Sequence, residues 1–234
     1  MRQVSHNGHV HCIREISYED AREMDIVADQ HIELLGFGPM AALGRRFVRD
    51  ACYANNMVDG ALKVAIYEID GIVVGFVAFT DRSISFHRAS LKKHWFRTGI
   101  TLMLSLLEDP RRIGALARAL AVLGARRGEY RVVGSDPMGE VVCIAVQPNY
   151  LKAEYRIDNG ARPGESLVAY AAQRLTELGV EEMRMLVDAD NKAVLFLYKT
   201  LGARFEAYEQ AGVPTTQVWF DLRKFDQNYV RPWR

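Results

Sequence analysis

The stretch Ile157–Leu167, "IDNGARPGESL", sets two glycines, an arginine and a proline directly before an amphipathic run. A turn of this kind offers backbone N–H groups to a phosphate, and the start of a helix adds the positive end of its dipole. Pro163 has no N–H but suits a first helical turn, which leaves the N–H groups of Gly160, Arg162, Gly164 and Glu165 to face an anion. Two glycines are few for such a cradle, so a plain connection is the alternative. Elsewhere, "HNGHVHC" (His6–Cys12) holds enough ligands for a metal but lacks a second cluster, so an adventitious site is expected there and no catalytic metal. "GFGPMA" (Gly36–Ala41) spells G-x-G-x-x-A, yet it follows a helical stretch rather than the strand that a dinucleotide site requires. Cys12, Cys52 and Cys143 lack paired spacing and read as reduced, mostly buried thiols.

The elements that must position these groups alternate along the chain. "CIREIS" reads as a strand, and "SYEDAREMDIVADQHIELL" as a helix with Ser17 as N-cap and Asp20 three residues on. "PMAALGRRFVRDACYANN" reads as a second helix starting at Pro39. "LKVAIYEIDGIVVGFVAFT" is a hairpin turning at Asp70-Gly71. Two helices are expected at about 91–107 and 110–125, and then "EVVCIAVQP" (Glu140–Pro148) runs almost continuously apolar, as a central strand covered on both faces does. "PGESLVAYAAQRLTELG" places Leu167, Ala171, Leu175 and Leu178 at helical spacing and ends on Gly179. "EMRMLVD" is a strand, "NKAVLFLYKTLG" a short helix, and "ARFEAYEQ" with "TQVWFDL" a closing hairpin.

Composition bounds the function. With 49% hydrophobic and 25% charged residues among 234, the chain can bury a sizeable core, and one domain over 1–234 is expected. Its longest central apolar run, Gly99–Leu107, is far short of the roughly 20 residues that cross a bilayer, and no cationic apolar leader opens the chain. The expectation is a soluble, cytoplasmic protein without a transmembrane segment. Arg82–Arg127 carries ten Lys and Arg against only Glu108 and Asp109, although the whole chain is +1. Such a patch draws anionic partners: a phosphorylated substrate, an acidic carrier protein, a membrane surface or nucleic acid. His87, His94 and Trp95 lie in this region and are either substrate contacts or ordinary helix surface.

The order of elements and their motifs resembles the GNAT superfamily of acetyl-CoA-dependent N-acetyltransferases, over most of the chain from "IREISYEDA" to "VWFDL". Glu140–Phe205 carries the most specific part: central strand, pyrophosphate loop, helix, splayed strand, and an Asn-to-Tyr helix. The resemblance implies an α/β (α+β) fold, a mixed and mostly antiparallel sheet flanked by helices, with a basic helical insertion at about 88–128 and a tail at 223–234. It implies acetyl-CoA as acyl donor, without a metal, its pantetheine arm lodged where the central strand and the next one splay and paired to the strand backbone near Ile144 and Val146. The oxyanion donor maps to the Ile144 N–H. Glu140, six residues before Val146, resembles the glutamate base of one branch of the superfamily. On a regular strand it shares a face with Val142 and Ile144. Against Asn-x-x-Ala-x-x-Phe-Tyr-x-x-x-Gly, Asn191, Tyr198 and Gly202 match while Val194 and Leu197 replace the alanine and phenylalanine. By that match Asn191 caps the helix and reaches the cofactor, and Tyr198 protonates the leaving thiolate. Solvent exposure for Glu140 and core packing for Tyr198 are the plainer readings.

Counted back from Gly179, Asn159-Gly160-Ala161-Arg162-Pro163-Gly164 falls on the superfamily's R-G-x-G-x-G/A loop. Asn159 stands where arginine is usual and Arg162 where the middle glycine is usual. Arg162 either restores the lost charge or blocks the close approach of phosphate, and Glu165 competes for the helix dipole. Three functions follow: acetyl transfer to the amine of a small, possibly anionic, acceptor; acyl transfer from an acyl carrier protein docked on the basic insertion; or a binding module without catalysis. A nucleic-acid partner is not expected. The tail "KFDQNYVRPWR" is either free or an arm in a homodimer.

Overall fold

The computed structural model describes residues 2–6, 8–36, 38, 40–83, 86–118, 138–152, 162–210 and 213–225. Eight strands form one sheet: β1 (Arg2–His6), β2 (His9–Ile16), β3 (Lys63–Ile69), β4 (Ile72–Thr80), β5 (Gly139–Val146), β6 (Glu182–Asp188), β7 (Arg204–Gln210) and β8 (Val213–Asp221). Their order is β1-β2-β3-β4-β5-β6-β8-β7, antiparallel throughout except for β5 beside β6. This is the mixed, mostly antiparallel sheet expected. At the β3–β4 turn Asp70 and Gly71 both take positive φ, 51° and 79°, the pair of angles a tight two-residue hairpin demands. β1 is an addition to the expected elements: it pairs antiparallel with β2, and Gly8 between them has φ of 82°. His9 and His11 make polar contacts within the sheet. His9 Nδ1 lies 2.6 Å from the Asp70 carboxylate and the buried His11 lies 3.2 Å from the Tyr67 hydroxyl.

Helix α1 (Ala21–Leu35) starts later than its sequence suggested. Ser17 N–H donates to the Asp20 carboxylate at 2.8 Å, so Ser17 opens a turn ahead of the helix instead of capping it. The second helical stretch is broken at Gly44, whose φ of 90° is costly for any residue with a side chain. A helical run, α2, resumes in three parts: Arg45–Phe47, the π-helical Val48–Ala54, and Asn55–Val58. Pro39 lies outside the described residues. Helices α3 (Phe86–Lys93) and α4 (Trp95–Glu108) divide what the sequence suggested was one helix, with the break at His94. Beyond Glu108 a turn at Pro110–Arg112 continues helically to residue 118, and the rest of the expected second basic helix lies outside the described residues. Helix α5 (Pro163–Glu177) begins at Pro163 as expected and ends before Gly179, whose φ is 79°. Helix α6 (Lys192–Thr200) closes the set.

Two cores sandwich the sheet. Val77, Phe79, Val141, Val146, Leu167, Ala171, Leu175 and Tyr198 join the sheet to α5 and α6, while Phe76, Ala78, Ala145, Val27, Val48 and Tyr53 join it to α1 and α2. β5 is apolar on both faces because it meets both cores.

β5 and β6 pair only at Gly139–Val141 against Met183–Met185 and then diverge. At the closed end of this V, Arg184 Nη2 donates to Glu140 Oε2 at 2.7 Å and to Ser83 Oγ at 2.7 Å, and Ser83 Oγ donates to the same carboxylate oxygen. Glu140 is 5% exposed and Arg184 2%, so each charge depends on the other for the solvation it lost. Replacing Arg184 with Leu should lower stability by about 3 to 5 kcal/mol in denaturant titrations, because the buried Glu140 carboxylate loses the opposite charge of the guanidinium. The double replacement Glu140→Leu/Arg184→Leu should recover most of that loss. A single-variant loss under about 1 kcal/mol would show that the pair does not hold the strands.

Candidate active site

The gap between β5 and β6 is lined by backbone that has lost a neighbour. Gln147 N–H donates to the Val74 carbonyl at 2.9 Å, so Gly75↔Val146 and Val77↔Ile144 are the antiparallel pairs that exchange no hydrogen bond. The N–H groups of Ile144 and Val146 therefore point away from β4, toward the gap. These are the two amides that the sequence singled out. Val142, Cys143 and Ile144 are half-exposed in a strand otherwise buried, which marks where the sheet opens.

A β-bulge corrects one expectation. Ala78 pairs with Cys143 and Phe79 with Val141, which leaves Val142 unmatched. Alternation resets at that extra residue. Val141, Ile144 and Val146 consequently face the α5 core, whereas Val142, Cys143 and Ala145 face the α1 core. Glu140, next to Val141, lies on the α1 side, opposite Ile144. The sequence placed Glu140, Val142 and Ile144 on one face because it assumed a regular strand. The carboxylate is also not at a solvent-exposed strand edge, since it is held by Arg184 and Ser83.

The other predicted residues are placed as follows. Tyr198 is buried on α6 in the core that also takes Ile144 and Val146, its ring edge-on to Phe220 at 5.9 Å between centroids. Burial pushes its hydroxyl well above the ordinary tyrosine range, so it carries its proton at neutral pH. Asn191 caps α6, its side-chain oxygen accepting from Val194 N–H at 3.2 Å, and Gly202 follows the helix with φ of 82°. Gly164, in the first turn of α5, sits over the end of β5: a Cβ there would lie 4.0 Å from Val146 Cγ2. The helix N-terminus is thus beside the open end of the gap. Arg162 stands at the N-cap, and its Nη1 donates to Glu165 Oε2 at 2.9 Å. Its side chain is exposed while Glu165 is buried. Asn159, Gly160 and Ala161 lie outside the described residues.

Residues missed in the sequence complete the α1 side. Tyr53 Oη lies 2.7 Å from His31 Nδ1 and 3.1 Å from Cys143 Sγ, a polar chain running from the bulge of β5 through the π-helical turn of α2 to α1. Burial lowers His31 from 6.5 to about 4 and raises the Cys143 thiol to about 11, so both are neutral at pH 7. The π-helical insertion turns Tyr53 onto the sheet, a local irregularity of the kind common at functional sites, and periodicity gave no sign of it. Arg184 had a sequence signal: an arginine between two methionines in a buried strand needs a buried carboxylate.

No protein-family model matches the sequence, and no curated protein matches it. Solved structures do match. An uncharacterized protein from Bacillus halodurans superposes with a TM-score of 0.58 at 9% identity, covering 98% of this chain and 94% of that one. A GNAT-family protein from Desulfovibrio desulfuricans gives 0.53 at 10% identity, covering 91% and 99%. The PaiA N-acetyltransferase of Thermoplasma acidophilum, solved in complex with coenzyme A, gives 0.51 at 12% identity, covering 90% and 98%. The fold is therefore that of the GNAT acetyltransferases.

His31 also gives a stability signature. Its ordinary value of 6.5 applies in the unfolded chain, and about 4 applies in the fold. The unfolded state then binds the extra proton between these values, so stability should be full above about pH 6.5 and decline as pH falls toward about 4. In thermal melts at stepped pH, His31→Gln should flatten this decline, and an unchanged slope would show that His31 is not neutral in the fold.

Proposed function

We propose that the protein is an N-acetyltransferase that moves the acetyl group of acetyl-CoA onto an amine of a small-molecule acceptor, by direct attack with both substrates bound. The observation that carries this reading is the gap itself: the Ile144 and Val146 amides point into it, Tyr198 belongs to the core on its α5 side, and the α5 N-terminus lies at its open end. The pantetheine arm pairs with β5 in place of β6. The Ile144 N–H binds the thioester oxygen as negative charge develops there. The CoA pyrophosphate lies against the segment Asn159–Glu165, with Arg162 exchanging Glu165 for a phosphate oxygen. Asn191 fixes the helix that carries Tyr198, and Tyr198 gives its proton to the departing thiolate. No metal takes part in this scheme.

In this reading Glu140 is the pin of the strand pair, and the amine's proton leaves by another route. Cys143 borders the opening on the α1 side, with the Tyr53 hydroxyl and His31 behind it, so this side of the gap offers neutral groups against which an uncharged amine sits, and the proton shed on acylation passes to water. The acceptor amine then sits against Val142 and Cys143. The protein works in the cytoplasm, and its oligomeric state, including a homodimer, does not enter the chemistry.

Tyr198→Phe should lower kcat about a hundredfold or more with little change in CoA affinity, as expected for a proton donor needed only in the transition state. Unchanged turnover would remove its role. Glu140→Gln separates pin from base: a pin predicts a less stable protein whose rate keeps its pH profile, whereas loss of the acidic limb of that profile would return Glu140 to the role of base.

A further inference from the structure

Helix α4 is turned inside out. Its inward side is largely polar beside Leu102, which packs on the Leu43–Phe47 cluster: Thr101 and Ser105 are buried, Thr98 Oγ1 accepts from Asn55 at 3.4 Å, and Ser105 Oγ donates to the Leu43 carbonyl. Arg112 Nη1 adds bonds of 3.0 Å to the Ser105 carbonyl and hydroxyl, and its guanidinium fills the space over Gly44. Ahead of the helix, the buried His94 is 2.7 Å from Asp59. At about 100° per residue, the opposite side of the helix carries Phe96, Ile100, Met103 and Leu107 in one row. They are 63%, 40%, 56% and 71% exposed. Trp95, 68% exposed, lies against Phe96 with its ring centroid 5.7 Å away. An apolar row facing water, on a helix that keeps its hydroxyls inside, has a contact to make.

The surroundings of the row say what covers it. Lys92, Lys93 and Arg97 flank its aromatic end, Lys93 paired with Asp59 at 2.6 Å, and Arg111 and Arg118 follow its other end, where Glu108 is paired with Arg46 at 2.8 Å. A second copy of this chain would bring these cations against their own kind. Cations beside an apolar ridge that is Trp-Phe at one end match the boundary between anionic headgroups and acyl chains, where such a helix lies flat. An acyl carrier protein on this face would sit on the α1 side of the sheet, while the α5 N-terminus belongs to the opposite layer. We infer that α4 is a membrane-surface helix, which docks the protein onto an anionic lipid bilayer through Trp95, Phe96, Ile100, Met103 and Leu107. The inference stands apart from the acetyl-transfer reading, because it needs neither the gap nor Tyr198. It places the acceptor side of the sheet, rather than the α5 side, toward the membrane.

Co-sedimentation tests it with vesicles of phosphatidylcholine mixed with phosphatidylserine, set against phosphatidylcholine alone. The protein should pellet with the mixed vesicles, bind the neutral ones at least about tenfold more weakly, and be released by salt. Ile100→Asp/Leu107→Asp should abolish binding, and Lys92→Glu/Arg97→Glu should weaken it about tenfold or more. Melting temperatures of both variants should stay near that of the unmodified protein, since all four side chains are exposed. In the unmodified chain, Trp fluorescence should shift to the blue on mixed vesicles, and Trp95→Phe should remove that shift, a readout independent of the charged variants. The inference is overturned if the protein ignores mixed vesicles at low salt, binds neutral ones equally well, or pellets unchanged with the apolar row replaced. It is also overturned if sizing shows a dimer that Ile100→Asp/Leu107→Asp dissolves, or if an acidic acyl carrier protein binds this face and the vesicles do not.

Discussion

The buried ion pair between Glu140 and Arg184 sits where two parallel strands last touch, and the site depends on what happens on either side of it. Below the pair, Gly139–Val141 and Met183–Met185 keep their ladder; above it, β5 has no β6 neighbour. A parallel pair left to itself would zip further, since each added rung satisfies buried amides. Two features oppose that closure. Gly139 packs so tightly against Leu175, Val180 and the Glu182 carbonyl that the strands are fixed in position at this end. β6 in turn is committed along its whole length, Glu182–Asp188, to β8 on its other side. The ion pair holds the vertex and β8 holds the far arm. The open amides of Ile144 and Val146 are what the geometry leaves over.

The bulge at Val142 divides the labour between the two faces. Without it, Glu140 and Ile144 would point to the same face of the sheet. With it, the carboxylate turns to the α1 side and meets Arg184, while the α5 side keeps Tyr198, a neutral hydroxyl in an apolar surround. The chain Cys143–Tyr53–His31 lies on the carboxylate's side, with neutral groups throughout.

Much of this was legible in the sequence where local chemistry decides the outcome. Asp70-Gly71, Gly179 and Gly202 each sit where a positive φ is required, and Asn191 caps its helix because a short side-chain oxygen reaches the third amide on. The apolar run of β5 correctly placed it at the centre. What stayed hidden depends on partners distant in the chain. A bulge is set by the neighbouring strand's register, so the face of Glu140 could not be read from spacing. The polar inner side of α4 exists only because Asn55, Leu43 and Arg112 meet it. Periodicity shows which residues lie on one side of a helix, and it cannot say which side faces in.

The start of α5 shows the same limit at the smallest scale. Arg162 forms an ion pair with Glu165 there, so its charge is partly spoken for, yet its side chain remains exposed. Amide hydrogen exchange with and without acetyl-CoA tests the central claim most directly. The account predicts slowed exchange at Ile144 and Val146 and at the first amides of α5, with the β5–β6 rungs at Gly139–Val141 unchanged. Binding that leaves Ile144 and Val146 exchanging as before, or no binding at all, would contradict it.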